Sequence, residues 1–422
     1  MGKSYDWSIG YGLVVFNPVG LKKTGLTLGP TDTPAQWLSE HASITFDQYG
    51  CEMPNGGMND AGLAVEVMVL GQTQYPPPDD RPAVNELQFI QYALDRYSLV
   101  DDLVQGAAAI RISSVYAHVH YLACDATGDC AAIEFLDGKM VVSTGDSMPA
   151  PTLTNSTYQD SVGYLEQFQG FGGDLTIPDT TGSLDRFVIA SALSVEKAGG
   201  TIPDAAFTIT DSVSQGDFSK WNIVYDLETR TAHFRTLASP AVKTVSLADF
   251  QPDCSSGRYI LDIDHPTAGD AGAAFEPYTL EANQALIDKS LATLPQVPDV
   301  ARAMLALYPD ALECVPGTTA PDPEPRCEGS LEPVVEQQED AWDTADSADS
   351  TAADIAAPGL PETVAGLPEA ADQGAPDIQG TPHSATSDGC TAGARHAPRP
   401  PVLPLLLLVL LLWGLLWRAS RA

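Results

Sequence analysis

Three polar side chains sit where chemistry could be done. Asp6 lies between aromatic residues in Ser4-Tyr5-Asp6-Trp7, surroundings in which a carboxylate is often buried and hydrogen-bonded. Asn155, in Leu153-Thr154-Asn155-Ser156-Thr157, follows Pro149-Ala150-Pro151. Arg186, in Ser183-Leu184-Asp185-Arg186-Phe187, opens a helix-like stretch. Taken singly each has a plain alternative: Asp6 a cap, Asn155 a turn residue, Arg186 a surface charge. No metal site is indicated. His118-Val119-His120 lies on a strand-like run, and no second ligand pair at zinc spacing accompanies it. Two histidines on one face of a strand account for that motif.

Taken together, these residues fall into five motifs in a fixed order. They are Gly2-Lys3-Ser4-Tyr5-Asp6-Trp7, Gly57-Met58-Asn59-Asp60-Ala61-Gly62-Leu63, Leu153-Thr154-Asn155-Ser156, Ser183-Leu184-Asp185-Arg186-Phe187 and Trp221-Asn222-Ile223-Val224-Tyr225-Asp226. Order and spacing resemble the choloylglycine hydrolase and penicillin V acylase family across roughly residues 2 to 292. The resemblance implies an α+β fold, a four-layer αββα sandwich of the N-terminal-nucleophile hydrolases. It also implies linear amide cleavage by a cysteine that is the first residue of the mature chain. A free α-amine with a pKa near ~8 can accept the thiol proton, so one residue supplies nucleophile and base.

By the same resemblance, Asp6 orients the amine and sulfur, and Asn155 is the side-chain donor of the oxyanion hole. A backbone N–H near Val69 or Leu70 is the second donor. Loss of one such donor typically costs ~10²–10³ in rate. Arg186 lies against the nucleophile and favours its charged form. Lys3 stands where many members carry arginine; it keeps the charge but lacks the planar fork. Val65 and Val67, with neighbours of Tyr75, are expected to line an apolar substrate pocket.

The larger departure is the cysteine itself. In the family it lies well upstream of the Asp-Trp pair, whereas only five residues precede Asp6 here. Cys51 belongs to a different motif region. Three explanations compete. The natural protein is longer, with a signal peptide whose removal exposes the cysteine, and Met1 is an internal methionine. Or the chain is a catalytically inactive, surface-anchored binding protein that retains the fold. Or it is a structural surface protein with a coincidental match. The first explains the missing cysteine and the missing export signal by one cause, and a retained Asp6, Asn155 and Arg186 favour it over the second. As written, the polypeptide is expected to be inactive and to lack its first strand.

The elements that must position these residues are legible in part. Strand-like runs occur at Gly12–Phe16, Ala42–Phe46, Leu63–Leu70, His118–Ala123, Ala131–Phe135, Lys139–Ser143, Trp221–Asp226 and Thr231–Thr236. Helical periodicity marks Ala83–Tyr97, Leu184–Glu196, Leu280–Leu294 and Val300–Leu307. Strands interspersed with helix pairs point to α+β layers rather than a βαβ repeat. Residues 1 to about 312 therefore read as one globular unit.

From residue 313 to 400 Pro, Ala, Asp, Glu, Ser and Thr take over, and no Lys or Arg occurs between Arg326 and Arg395. Such a segment buries too little apolar surface to offset its ordering entropy, and is expected to be a disordered linker. Residues 401–422 end the chain. Within them Val402–Trp417 is almost wholly apolar and is followed by Arg418 and Arg421. This is the lower edge of the ~17–25 residues that span a bilayer. The tail resembles MYXO-CTERM sorting tails of exported bacterial proteins, which implies that Cys390 is the anchoring site and the cell envelope or surface the location.

The net charge of −35 excludes a nucleic-acid partner, because a phosphate backbone needs a basic footprint. Cys124 and Cys130 flank a hairpin-like Asp125-Ala126-Thr127-Gly128-Asp129, and an oxidising compartment favours a bridge between them. Cys314 and Cys327 could close a second loop, and Cys51 and Cys254 could pair or stay free. No cofactor is expected. The implied partners are a small-molecule amide, a membrane through residues 402–417, and further copies in a homotetramer. Conjugated bile salts, penicillin V and N-acyl homoserine lactones are the substrate classes that the resemblance brings.

Overall fold

The computed structural model describes residues 1–29, 31–292 and 297–319. The linker and apolar tail, with Cys327, Cys390 and residues 402–417, lie outside the described residues. Among the described residues no helix is long and apolar enough to cross a membrane.

Nineteen strands follow one another among the described residues. The first seven are β1 (Gly2–Asp6), β2 (Leu13–Asn17), β3 (Leu21–Thr24), β4 (Gln36–Leu38), β5 (Ser43–Asp47), β6 (Pro54–Asn59) and β7 (Ala64–Val69). Then come β8 (Ala83–Val84), β9 (Arg111–Ile112), β10 (Val119–Cys124), β11 (Cys130–Leu136) and β12 (Lys139–Thr144). The last are β13 (Ser219–Asp226), β14 (Thr231–Thr236), β15 (Lys243–Ser246), β16 (Tyr259–Asp262), β17 (Gly269–Asp270), β18 (Glu276–Pro277) and β19 (Glu313–Cys314). The helices are α1 (Gln88–Arg96), α2 (Val100–Ala107), α3 (Tyr158–Leu165), α4 (Ser183–Glu196), α5 (Asp204–Ser212), α6 (Leu280–Ser290) and α7 (Asp299–Leu307).

Two sheets dominate this mixed α/β fold. One runs β1-β13-β14-β15-β17 and the other β12-β11-β10-β7-β6-β5-β2-β16-β18. Between them lies a core in which Tyr5, Phe16, Ile44 and Phe46 meet Trp221, Ile223, Tyr225 and Phe234. Tyr5 stacks on Trp221 with ring centroids 4.4 Å apart, and Phe46 meets Phe234 edge-on at 5.3 Å. Each fully buried apolar side chain of this size contributes about 1.5–3 kcal/mol. Helices α1 and α2 pack their apolar faces on the outer face of the larger sheet, where Phe89, Ile90, Leu94 and Leu103 join Val65, Val67 and Tyr121. Helix α5 covers the outer face of β1 and β13. Helices α3 and α4 pack over Leu122 and Ala132 on the β10–β11 end of the larger sheet.

The glycines of β6 have a steric cause. A Cβ on Gly56 would stand 2.2 Å from the Glu66 carboxylate, and one on Gly57 2.6 Å from Ile44 O. This segment is a strand inside the larger sheet, and close approach across it needs residues without side chains. The helix read from Ala83 begins later. Ala83–Val84 pairs in parallel with Arg111–Ile112, and Asn85 Oδ1 accepts from Leu87 N at 3.0 Å and Gln88 N at 2.8 Å. A side chain that satisfies first-turn N–H groups starts the helix after it.

Two disulfides are present. Cys124 and Cys130 are facing residues of the β10–β11 hairpin and are joined. Cys254 is joined to Cys314, which corrects both Cys314–Cys327 and Cys51–Cys254. The reason is topological: β19 pairs with β3 through Cys314 and Leu21, and the Cys254 sulfur lies 3.6 Å from Gly20 O, the residue just before β3. Cys51 is a buried free thiol.

Candidate active site

Asp6 closes β1, and the register with β13 shifts between Tyr5 and Asp6. Such an irregularity re-aims a side chain. Here the Asp6 carboxylate collects four donors. The Ser219 hydroxyl donates to Oδ1, and Ser4 Oγ lies 3.3 Å from the same oxygen. Gln215 Nε2 donates to Oδ2 at 2.6 Å and Arg186 Nη1 at 3.3 Å. Gln215 is itself held by its backbone N–H on Ser219 Oγ at 2.7 Å.

Arg186 sits in the first turn of α4. Its Nε donates to Thr181 O at 3.1 Å, Nη1 to Asp6 and Nη2 to Asn155 Oδ1 at 2.8 Å. The planar fork thus ties three chain segments to one point. Burial pulls the guanidinium pKa down and the Asp6 charge opposes it.

Asn155 is oriented from both sides. Its backbone N–H donates to Ser183 Oγ at 2.9 Å and its Nδ2 donates to Val69 O at 2.9 Å. With its oxygen bound to Arg186, the only group Asn155 turns toward the end of β7 is an N–H donor. The structure therefore brings Asp6, Asn155 and Arg186 together although 180 residues separate Asp6 from Arg186. Gln215, Ser219 and Ser183 complete the set. Of these only Ser183 carried a sequence signal, through its motif.

Other expected residues stand elsewhere. Lys3 points between the sheets, where its Nζ reaches Val67 O, the Met68 sulfur at 3.2 Å and Glu66 Oε2 at 3.3 Å. Tyr225 donates to the other Glu66 oxygen at 2.6 Å. Burial pushes the Glu66 pKa up, against the pull of Lys3 and the Tyr225 hydrogen bond. Lys3 thus neutralises a buried carboxylate and makes no contact with Asp6 or Arg186.

The pocket expectation for Val65 and Val67 needs correction. Both are buried in the core beneath α1 and α2, while Glu66 and Met68 face the opposite side of β7, toward Lys3. Strand side chains alternate, so Val65 and Val67 turn to the helices and Glu66 and Met68 to the other side of the sheet. The Leu70 N–H is committed to His118 O at 3.0 Å. Val69 stands at the set through its carbonyl, the acceptor of Asn155 Nδ2.

No thiolate among the described residues serves this set. Four cysteines are in disulfides, and burial, reinforced by the Asp47 charge, pushes the Cys51 thiol well up. The set itself offers an amide donor, a cation and a carboxylate fixed by four donors. It can hold an amine and a developing oxyanion.

The fold defines the class, a mixed α/β architecture shared with the structures of penicillin V acylase and conjugated bile acid hydrolase. More particularly, the chain is homologous to penicillin V acylase. It is 30% identical over 208 residues to the penicillin V acylase of Pectobacterium atrosepticum, an alignment that takes in 45% of this chain and 54% of that protein. The chain spans about half the length of that curated relative. Its structure is similar to penicillin V acylase from Agrobacterium tumefaciens, with a TM-score of 0.59 at 25% identity, covering 66% of this chain and 93% of the other. It also shares the fold of a variant of conjugated bile acid hydrolase from Clostridium perfringens, with a TM-score of 0.51 at 16% identity over 62% of this chain and 92% of that one. No family model matches the chain.

Proposed function

We propose that this protein hydrolyses linear amide bonds of N-acyl compounds, of the kind found in penicillin V, conjugated bile salts or N-acyl homoserine lactones. The nucleophile in this proposal is a cysteine outside the described residues. The observation that carries the proposal is the convergence of Asp6, Asn155 and Arg186, with Asn155 Nδ2 presented as a donor beside Val69. Acyl transfer needs a donor aimed where negative charge develops, and a binding scaffold has no use for this particular triplet. The shape of the smaller sheet supports it. Among the described residues β1 pairs with β13 alone, so its other edge is open to a strand. An antiparallel strand there would bring its far end beside Asp6, which is where an N-terminal cysteine must stand.

The protein is further proposed to be exported and held at the cell envelope through residues 402–417 and Cys390.

The test is amine release from the three substrate classes by protein carrying a cysteine-led strand before Met1, compared with the chain as given. Hydrolysis of at least one class by the extended protein is expected, with Asn155→Ala lowering kcat by ~10²–10³. No release from any class by a folded extended protein would overturn the proposal and leave an inactive binding protein in its place.

A further inference from the structure

His120 is fully buried on β10, and both of its ring nitrogens are engaged. Nε2 lies 2.7 Å from Thr154 O, the carbonyl immediately before Asn155. Nδ1 lies 3.0 Å from Glu134 Oε1 on β11. Both oxygens of Glu134 lie 3.1 Å from the Tyr158 N–H, at the first residue of α3. The two side chains therefore grip both ends of the Thr154–Tyr158 segment, and Asn155 lies between the grips.

The partners fix the protons. A peptide carbonyl only accepts, so Nε2 must donate to Thr154. An ionised Glu134, which receives the Tyr158 N–H on both oxygens, accepts here as well, so Nδ1 donates to it; only a protonated Glu134 could instead donate to a bare Nδ1. Beside the ionised carboxylate a neutral imidazole, with one N–H, cannot satisfy both contacts.

We propose that His120, held doubly protonated against Glu134, is the positioning residue for the Asn155 donor. The proposal rests on the reading of Asn155 as an oxyanion-hole donor, but its geometric part stands independently. If His120 keeps only one ring proton beside an ionised Glu134, either Thr154 O or Glu134 is left facing a lone pair. The buried segment must then shift, and Asn155 with it.

The full chain labelled with ¹⁵N-histidine and ¹⁵N-asparagine tests this. His120 is expected to show two protonated ring nitrogens. Its signal is assigned by its disappearance in His120→Phe. That variant and Glu134→Leu are expected to move the Asn155 side-chain NH₂ resonances away from their wild-type positions. Glu134→Gln guards against simple unfolding. Its amide can donate to Nδ1 and accept from Tyr158 N, so a neutral His120 still donates to Thr154. It should keep the Asn155 resonances in place while the His120 signal changes to one protonated and one bare nitrogen.

One bare nitrogen in the wild type, or unmoved Asn155 resonances in folded His120→Phe, would overturn the proposal. In cysteine-bearing enzyme, His120→Phe should lower kcat toward the ~10²–10³ of losing the donor, with KM unchanged. Failure of hydrolysis in every variant would count against the amide hydrolase proposal while the resonance measurements still decide this one.

Discussion

Lys3→Met is the sharpest probe of what holds the two sheets in register. In the folded protein Lys3 and Glu66 are almost wholly buried, 7% and 2% exposed, with 3.3 Å between Nζ and Oε2. Methionine keeps the length and apolar stem of the side chain but removes the charge, leaving Glu66 inside the core with Tyr225 as its remaining side-chain donor. Breaking one half of a buried pair costs about 3–5 kcal/mol, and the surviving Tyr225 hydrogen bond places this case at the lower end, about 3 kcal/mol.

The loss depends on pH. Burial already raises the Glu66 pKa, and Lys3 opposes that rise, so the variant raises it further. The folded variant then prefers the protonated acid, while the unfolded chain releases that proton above ~4.3. The destabilisation is therefore small at pH 4 and grows as the pH rises through neutrality. Thermal unfolding at pH 4.5 and pH 8 reads this out. At ~2–4 °C per kcal/mol, Tm at pH 8 should fall by roughly 6–12 °C. Lys3→Met with Glu66→Gln should recover most of the loss, because the Tyr225 hydroxyl can still donate to the amide oxygen. An unchanged Tm at pH 8, or a loss of equal size at both pH values, would refute the assignment of Lys3 as the partner of Glu66.

Asp47 gives a second pH-dependent outcome. Burial raises its pKa to about 7, with Glu52 adding to the rise and Arg258 opposing it. Between ~4 and ~7 the folded state holds a proton that the unfolded chain releases, so the contribution of this group falls by roughly 4 kcal/mol as pH rises through that window. Urea unfolding of Asp47→Asn should show a flatter pH dependence; an unchanged slope would count against a protonated Asp47. The disulfides should differ in worth. Loop-closure entropy assigns about 4 kcal/mol to Cys254–Cys314, which closes a separation of 60, and about 2 kcal/mol to Cys124–Cys130, with a separation of 6. Paired serine substitutions followed by urea unfolding compare them, and equal losses would contradict a chain-entropy origin. In cysteine-bearing enzyme, Arg186→Lys should lower kcat more than it raises KM. An ammonium cannot hold Thr181 O, Asp6 and Asn155 in one plane, and unchanged kinetics would show that the fork is dispensable.

Much of the larger sheet and the hairpins could be read from the chain alone, because their signals are local. Trp221–Asp226 and Thr231–Thr236 alternate around a short turn, and they pair residue for residue from Trp221↔Thr236 to Asp226↔Thr231. The helices near 184–196 and 300–307 follow from 3.6-residue periodicity. The order of the motifs around Asp6, Asn155 and Arg186 was also a property of the sequence.

What only the tertiary structure decided lies in contacts between residues far apart in the chain. Gln215 and Ser219 bind Asp6 across more than 200 residues, with no pattern in their own neighbourhood to announce it. Cys254 meets Cys314 because β3 and β19 pair, and a two-residue strand at the end of the described chain has no periodicity to read. The face of β7 was invisible for another reason. Val65 and Val67 on one side and Glu66 and Met68 on the other show only which residues share a side, and the pocket placement came from the resemblance. Both faces are in fact buried, one under helices and the other against a second sheet, where Lys3 supplies the missing charge. Alternation fixes which residues share a side, but what covers that side is set by packing.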